Sequence, residues 1–312
     1  MQVYKKIKAL GTEIEFYLQS NISKDFNQDL LELELLINNF EKRFSRFLGD
    51  SELSLLNSAD KAFAVSPELI KILLLAKDFY QITKGIFDPT ILKRLENQGY
   101  DKSFDLLDLN QEKATTKNKA ARINFSEVII DLKNNLVTLP IGLKIDFGGI
   151  GKGYIVDVAV KILKNKGYKN FWISAGGDMY LSGVNDENKI YQVGVQNPKK
   201  LEENIFNINV IETEMAVATS GVAKRQWLNN GKKYNHIIDP RTGVSLANNL
   251  LAVTVISNQA IKADIYAKTI LILGKDQGLD FINNQENAEA LIIDENLEVS
   301  LSRNMNNYLT KI

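Results

Sequence analysis

The sequence predicts an α+β fold in which mixed sheets pack against helices. Apolar residues recur from Phe26 to Phe47 in alternating steps of four and three, which is the stripe of an amphipathic helix. Shorter apolar runs, such as residues 251–256, predict strands that are interspersed with the helices. No linker rich in Gly, Ser or Pro interrupts this pattern, so we expect a single domain over residues 1–312.

The composition excludes several classes of protein. Lys and Arg together number 38, as do Asp and Glu, so no net charge favours nucleic acid or an anionic membrane surface as a partner. The absence of cysteine excludes disulfides, thiolate metal sites, iron–sulfur clusters and cysteine nucleophiles. At 312 residues, one large domain and two interleaved lobes are both reasonable.

No targeting or membrane segment is apparent. Residues 1–18 alternate charged and apolar side chains, which predicts a strand rather than a signal peptide. No stretch approaches the roughly 20 apolar residues needed to span a bilayer. We therefore expect a cytoplasmic protein without membrane insertion, although a chain without cysteine would also suit export.

Local signals predict the bounds of the other elements. Ser23 is a candidate N-cap for the first helix, and Pro67 is well placed at the first position of a second helix that ends near Gly85. The asparagines after Lys133 tolerate the backbone of a tight hairpin turn. Strands are predicted over 122–132, 136–140, 171–174, 191–195, 206–210 and 251–256, and a last helix over 260–273.

A glycine-rich segment is the most informative local feature. A predicted strand over 143–147 leads into four glycines within 148–153, and a predicted helix follows over 154–166. Glycines between a strand and a helix let an anion approach the backbone N–H groups at the helix N-terminus, which favours phosphate binding. Close packing of the strand against the helix explains such glycines equally well.

The spacing of these glycines excludes two common phosphate-binding motifs. A P-loop requires Gly where Asp146 stands, and Ser or Thr where Gly153 stands. A dinucleotide-binding fingerprint would require Gly or Ala at Tyr154.

His236 is the only histidine in the chain, and it lies just before the turn sequence Asp239-Pro240-Arg241-Thr242-Gly243. Imidazole exchanges protons near neutral pH, so His236 is a candidate general base. A lone histidine is more often a structural hydrogen-bonding residue, and that alternative stays open.

Two further candidates have alternative interpretations. Ser220 could suggest a Ser–His–Asp hydrolase, but Ala218 and Val222 stand where the nucleophile elbow requires glycine. Asp264 and Lys268 are four residues apart on the last predicted helix, which is the spacing of an ordinary surface ion pair. Asp264 is alternatively an oxygen ligand for Mg²⁺.

Taken together, eight segments in order along nearly the whole chain resemble the FAD:protein FMN transferase (flavin transferase, ApbE) family. The segments are LGTEIEF (10–16), FSRFLGDSELSLLN (44–57), GIFDPT (85–90), IDFGGIGKGYIVD (145–157), SAGGDMYLSG (174–183), ATSGVAKRQW (218–227), HIIDPRTG (236–243) and ADIYAKTILILG (263–274).

The resemblance implies an ApbE-like, T-fold-related architecture of two interleaved lobes, with the FAD site in a cleft between them. It also implies an enzyme that takes FAD, releases AMP and leaves FMN esterified through phosphate to a Thr or Ser of an acceptor protein, assisted by Mg²⁺. His236 would take the proton from the acceptor hydroxyl. Asp264 and a backbone carbonyl near Gly149 would hold Mg²⁺.

The same resemblance implies a set of residues that line the FAD site. They are Leu10, Phe47, Ile86, Phe87, Asp88, Asp146, Lys152 and Ile238, with Asp157 and Ser220 as further members.

Three residues depart from the family pattern. Leu10 stands where Met is usual and Phe47 where Tyr is common, and both keep an apolar or stacking character. Lys268 stands where many members carry a Thr that helps to bind the metal. An ammonium group cannot ligate Mg²⁺. Either Mg²⁺ has fewer protein ligands here and water completes its coordination, or Lys268 itself supplies part of the positive charge.

Two alternatives to flavin transfer remain at the level of the sequence. Water could replace the acceptor, which would make the protein an FAD pyrophosphatase that yields FMN and AMP. The protein could also bind FAD without catalysis, an alternative for which the departure at Lys268 is the one indication.

Overall fold

The computed structural model describes residues 1–21, 23–111, 124–223 and 225–311. The helices are α1 Phe26–Phe44, α2 Glu52–Asn57, α3 Pro67–Ile82, α4 Leu92–Asn97, α5 Gly151–Asn165, α6 Ala260–Leu273 and α7 Lys275–Ile282. The strands are β1 Gln2–Ala9, β2 Thr12–Gln19, β3 Phe63–Ala64, β4 Asn110–Gln111, β5 Ile129–Asp131, β6 Leu136–Thr138, β7 Asn170–Ala175, β8 Asp178–Ser182, β9 Gln192–Asn197, β10 Lys200–Asn209, β11 Glu214–Gly221, β12 Gln226–Asn229, β13 Lys232–Asn235, β14 Ile238–Asp239, β15 Val244–Ser245, β16 Leu250–Ser257, β17 Ala288–Asp294, β18 Val299–Leu301 and β19 Leu309–Lys311.

The chain divides into two compact units, and each is assembled from segments that are distant in sequence. The first unit comprises Met1–Asn39, Ile150–Gly221 and Asn249–Ile312. The second unit comprises Phe40–Gly149 and Val222–Asn248. The boundaries between the units lie within α1, just before α5, after β11 and just before β16. The amino-acid composition of the chain does not change at these positions.

The first unit is built on an eight-stranded sheet in the order β1-β2-β7-β8-β11-β16-β17-β18. Every neighbouring pair in this sheet is antiparallel. Helices α5 and α6 pack against each other, and α6 packs on β11 and β16. A separate three-stranded sheet in the order β19-β10-β9 belongs to the same unit. The first unit therefore positions the residues of α5, α6 and the interior strand β11.

The second unit contains short strands and helices. Its small sheets have the orders β3-β6-β5, β13-β12-β4 and β14-β15. An aromatic and aliphatic cluster that includes Leu95, Tyr100, Trp227, Tyr234 and Ile238 forms part of its core. Since Trp227 and Tyr234 are paired across β12 and β13, this hairpin carries the chain directly toward His236.

The N-terminal segment is a hairpin rather than the single strand that the alternation predicts. Strands β1 and β2 pair antiparallel from Gln2↔Gln19 to Ala9↔Thr12. Leu10 and Gly11 form the two-residue turn, with φ values of 56° and 64°. A turn with both central residues left-handed matches the twist of the strands. Alternation continues on both sides of such a turn, so the periodicity alone does not reveal it.

The strand predicted over residues 143–147 is wrong. Leu143, Ile145 and Phe147 are buried, which explains the strand-like alternation. The backbone nevertheless finds partners other than a strand: the Ile145 N–H donates to Asn57 Oδ1 at 2.7 Å, and Asn57 Nδ2 donates to the Ile145 carbonyl at 2.8 Å. The Asp146 N–H donates to the Pro89 carbonyl at 2.8 Å.

Other predicted bounds also change. The strand predicted over 122–132 is limited to β5, because residues 125–127 form a 3₁₀ turn; residues 122 and 123 lie outside the described part of the chain. Helix α1 ends at Phe44, so Phe47 lies beyond it. Its first turn is capped by Asp25 rather than Ser23, since the Gln28 N–H donates to Asp25 Oδ1 at 3.0 Å.

Of the other three helix predictions, those for α3 and α6 are confirmed, whereas α5 begins at Gly151, three residues before the predicted start at Tyr154. Ser66 caps α3 by accepting from the Leu69 N–H at 3.2 Å, and Pro67 is its first residue. Helix α6 covers Ala260–Leu273 and ends at Gly274, whose φ is 83°. Within the described residues, none of the helices combines the length and apolar character required to span a membrane.

Candidate active site

His236 lies in the second unit, between β13 and β14, on a backbone that is fixed from both sides. The Ile237 N–H donates to Asn235 Oδ1 at 3.0 Å, and Asn235 Nδ2 donates to the Leu246 carbonyl at 2.9 Å. Asn235 and Ile237 are buried, whereas His236 between them is half-buried. These hydrogen bonds hold the backbone on either side of His236, while the residue itself stays partly accessible.

The turn after His236 is held by its own side chains. The Arg241 guanidinium donates to both carboxylate oxygens of Asp239, and the Arg241 N–H donates to Asp239 Oδ1 at 2.9 Å. The Gly243 N–H donates to the Asp239 carbonyl at 2.7 Å. Ile238 is buried and pairs with Ser245 across β14 and β15. The segment that carries the imidazole therefore cannot shift without breaking several hydrogen bonds.

Arg46 connects two of the predicted FAD-lining residues of the second unit. Its Nε lies 3.2 Å from Asp146 Oδ1, and its guanidinium carbon lies 4.3 Å from the centre of the Phe47 ring. Its Nη1 donates to the Tyr100 carbonyl at 3.0 Å, and the guanidinium also lies over the Tyr100 ring. The Arg46 side chain is only 6% exposed. The sequence prediction named Phe47 and Asp146 but missed the arginine that joins them.

Asp88 is buried and structurally engaged. Its Oδ1 accepts from the Thr90 N–H at 2.8 Å, and its Oδ2 accepts from the Phe125 N–H at 3.2 Å. Burial raises the pKa of Asp88, and these hydrogen bonds offset the rise only in part. Ile86 and Phe87 are buried next to it. These three predicted FAD-lining residues lie together in one turn of the second unit.

In the first unit, Gly153 has a packing role, but between two helices rather than between a strand and a helix as the sequence analysis considered. A Cβ at this position would lie 2.5 Å from Ile261 Cα and 2.8 Å from the Ala260 carbonyl oxygen. Only glycine therefore permits α5 to approach the start of α6 this closely. Gly149 directly precedes Ile150, the residue from which α5 begins, and Ile150 provides no side-chain cap.

Asp264 lies on α6 and is 1% exposed. Its Oδ1 accepts a hydrogen bond from Lys268 Nζ, one turn along the helix. Burial acts to raise the pKa of Asp264, but the charges of Lys152 and Lys268 and the Gly153 N–H outweigh it, so the pKa lies below its ordinary value. Asp264 Oδ2 has no hydrogen-bond partner among the described residues.

Lys152, at the start of α5, forms an ion pair with Asp178. Asp178 is buried, and its Oδ1 also accepts from the Thr219 N–H at 3.3 Å. The sequence prediction included Lys152 but missed Asp178, although this aspartate directly follows the Gly176-Gly177 pair of a matching segment.

The remaining predicted residues of the first unit have separate environments. Leu10 is in the β1–β2 turn, and Ser220 is buried on β11. Asp157 accepts from the Ala260 N–H at 2.8 Å and the Ile261 N–H at 3.0 Å, so both its carboxylate oxygens hold the start of α6. Burial raises the pKa of Asp157 to about 6. Asp157 therefore has a structural role at the start of α6.

A protein-family model described as the ApbE family matches residues 10–292. The chain belongs to the ApbE family. The match includes every residue predicted for the site, from Leu10 to Lys268.

Several relatives of this chain are named FAD:protein FMN transferase. Those from Vibrio cholerae and Haemophilus influenzae are 26% and 24% identical to this chain, and the alignments cover 89% and 92% of it and 83% and 85% of the relatives. The relative from Buchnera aphidicola is 28% identical, with 97% of this chain and 87% of the relative covered.

Solved ApbE structures share the fold. The ApbE protein of Thermotoga maritima superposes with a TM-score of 0.87 at 25% identity, and 99% of each chain is covered. The flavin transferase ApbE of Vibrio cholerae superposes with a TM-score of 0.84 at 22% identity, again over 99% of each chain. The expected ApbE-like α+β architecture is thereby confirmed.

Proposed function

We propose that this protein is an FAD:protein FMN transferase. The observation that carries the proposal is the placement of the only histidine of an ApbE-family chain, half-buried on a backbone held by Asn235 and by the turn at Asp239. A positioned imidazole is the group that a hydroxyl nucleophile needs as a base at neutral pH. The names of the relatives support the same reaction.

The reaction is a phosphoryl transfer to an acceptor hydroxyl. The hydroxyl oxygen of a Thr or Ser in the acceptor protein attacks the FMN-side phosphorus of FAD, and His236 takes the hydroxyl proton. A new P–O bond joins FMN to the acceptor, while the P–O bond to the AMP phosphate breaks and AMP leaves with the bridging oxygen. The protein supplies position and charge rather than a covalent intermediate.

The proposed FAD-binding residues of the second unit include two that contact Arg46 and the three of the Ile86–Asp88 turn. They are Phe47, Ile86, Phe87, Asp88, Asp146 and Ile238. Phe47 offers a ring for stacking, and the Arg46 charge keeps the Asp146 carboxylate oriented.

Those of the first unit are Leu10, Lys152, Asp157 and Ser220. Lys152 is the cation among them, and a lysine near a pyrophosphate neutralises charge as a point charge. Asp157 and Ser220 contribute less directly, because Asp157 is engaged by α6 and Ser220 is buried on β11.

Mg²⁺ belongs to this proposal as the ion that neutralises charge on the pyrophosphate oxygens. Asp264 Oδ2 fits such an ion, because it is a buried carboxylate oxygen without a hydrogen-bond donor among the described residues. The structure, as far as it describes the chain, contains no group of three His, Cys, Asp or Glu side chains suited to a metal. Asp264 would therefore be the single carboxylate ligand, and the carbonyl near Gly149 stays a prediction.

The deciding experiment separates flavin transfer from hydrolysis and from binding. The protein is incubated with FAD and Mg²⁺, with and without an acceptor domain that contains a candidate Thr, and AMP is quantified together with the acceptor mass. AMP release that requires acceptor, with the mass of the acceptor raised by FMN, supports transfer. AMP release without acceptor indicates a pyrophosphatase, and absence of AMP release in both reactions indicates binding alone.

The matched control for this experiment is an acceptor domain in which the Thr is replaced by Ala. It should gain no mass while FAD remains intact. A cytoplasmic location stays a prediction.

A further inference from the structure

Two lysines place positive charge near the Asp264 carboxylate. Lys268 forms an ion pair with Asp264 Oδ1, and its side chain is 16% exposed. Lys268 Nζ also lies 3.4 Å from the Asp264 carbonyl oxygen, so it is held at this turn of α6. The carboxylate thus has a cationic partner from its own helix.

A second ammonium group reinforces this arrangement. The charge of Lys152 acts on Asp264, although Lys152 itself forms an ion pair with the buried Asp178. The two lysines and two aspartates make a four-charge cluster with no net charge. A divalent cation would add two positive charges to a group that is already neutral.

The geometry leaves one place for a metal, and that place is close to Lys268. Among the described residues, Asp264 Oδ2 has no hydrogen-bond partner, and Mg²⁺ binds carboxylate oxygens at about 2.1 Å. A metal on Oδ2 would share one carboxylate with the Lys268 ammonium on Oδ1. Like charges at such a short separation repel strongly when the site is shielded from water.

We propose that Lys268 is the resident counter-cation of Asp264 and that it makes divalent-metal binding at this carboxylate weak. The inference rests on the proposed function only for the location of the metal. Metal affinity at Asp264 is then limited by Lys268, and removal of its charge creates a better metal site.

The test measures Mn²⁺ binding to the full-length protein after treatment with EDTA, without FAD and without acceptor. The electron paramagnetic resonance signal of free aqueous Mn²⁺ reports the unbound metal directly. The wild type should bind Mn²⁺ only in the millimolar range or more weakly. Lys268→Met and Lys268→Thr should each tighten binding roughly 10- to 100-fold, because one positive charge beside the metal is removed.

Two further variants control for charge and location. Lys268→Arg keeps the charge and should bind Mn²⁺ as weakly as the wild type. Asp264→Asn combined with Lys268→Met should lose the gain, because the carboxylate is absent. Circular dichroism checks that each variant is folded.

Three results would overturn the inference: micromolar Mn²⁺ binding by the wild type, unchanged affinity in folded Lys268→Met, or an equal gain in Lys268→Arg. The wild-type measurement decides by itself if the uncharged variants do not fold. Since neither FAD nor acceptor is present, failure of flavin transfer would leave this result unaffected. Failure of the metal inference would likewise leave AMP release and acceptor labelling unaffected.

Discussion

At the scale of single residues, the candidate site depends on residues whose backbone is held by hydrogen bonds of their neighbours. His236 lies between Asn235 and Ile237, which are both buried and hydrogen-bonded to each other. A base gains its effect from a defined position, because the proton must be taken as the nucleophile attacks. The role of His236 can therefore be tested separately from folding.

We expect His236→Ala to bind FAD normally while AMP release falls by about two to four orders of magnitude, the usual worth of a positioned acid–base group. FAD binding is measured by quenching of flavin fluorescence, and AMP release by chromatography with acceptor present. Turnover within a factor of a few of the wild type would show that another group takes the proton.

Arg46 is a residue whose loss should affect stability as well as binding. Its guanidinium pairs with Asp146 and lies over the Phe47 and Tyr100 rings. Arg46→Met would leave Asp146 without this charge, and breaking a buried pair from one side costs about 3–5 kcal/mol. We expect the free energy of unfolding in urea to fall by this order.

Arg46→Lys is the matched control, since it keeps the charge but loses the planar fork and the stacking. Its free energy of unfolding should lie between those of the wild type and Arg46→Met. Equal stability of all three proteins would mean that the ion pair contributes nothing measurable.

At the scale of elements, the contact between α5 and the start of α6 organises the first unit. Gly153 allows the close approach, and Asp157 accepts from the first N–H groups of α6. One face of α5 thus provides both the space and the cap for α6. Asp264 follows on the same helix α6, so its position depends on this contact.

Gly153→Ala should destabilise the protein by about 1–3 kcal/mol, because overpacking forces the two helices apart. The new Cβ would meet backbone atoms of Ile261 and Ala260, which cannot rotate away. Chemical unfolding provides the measurement. Gly49→Ala is the control, since a Cβ at Gly49 meets nothing within 4 Å, and it should change stability little. A Gly153→Ala protein as stable as this control would refute the packing role.

Asp157 should make stability depend on pH. Burial raises its pKa from 3.8 to about 6 in the folded state, so between these values the folded protein binds more protons than the unfolded chain. The free energy of unfolding should therefore fall as the pH rises from about 4 to about 6, and this contribution should be constant above that range.

Urea unfolding of the wild type and of Asp157→Asn at several pH values isolates this contribution. The stability of the wild type relative to the variant should decrease across that window. Parallel pH profiles for the two proteins would show that Asp157 does not titrate there.

At the scale of the whole molecule, the chain forms two units, and each is assembled from parts that are separated in sequence. The chain as a whole has equal numbers of acidic and basic residues. The proposed FAD-binding residues are distributed over both units. A ligand that binds only the folded state adds to stability in proportion to the logarithm of its concentration over its dissociation constant. FAD should therefore stabilise the protein against thermal unfolding.

FAD at a hundredfold excess over its dissociation constant should add about 2.7 kcal/mol, which corresponds to a rise of several degrees in the unfolding midpoint. Circular dichroism during heating measures this shift. His236→Ala is the suitable protein, because it should bind FAD without consuming it. FMN and AMP separately should produce smaller shifts, and an equal shift with AMP alone would contradict binding of the whole dinucleotide.

Much of the fold and part of the site could be predicted because the responsible signals are local. Ser66 and Pro67 indicate the start of helix α3, and Gly274 indicates the end of α6. His236 stands out as the single imidazole beside a turn sequence. Membership of the ApbE family follows from segments that each retain their own short pattern.

The remaining features were decided by tertiary structure, because their partners are remote along the chain. Residues 143–147 are not a strand, since Asn57 provides the hydrogen bonds that a neighbouring strand would have provided. The role of Asp178 depends on its ion pair with Lys152, and the packing role of Gly153 depends on its close approach to Ile261. In both cases the partner is distant along the chain. A sequence pattern reports what neighbours along the chain favour; burial and charge pairing depend on which distant residues the fold brings within a few ångströms.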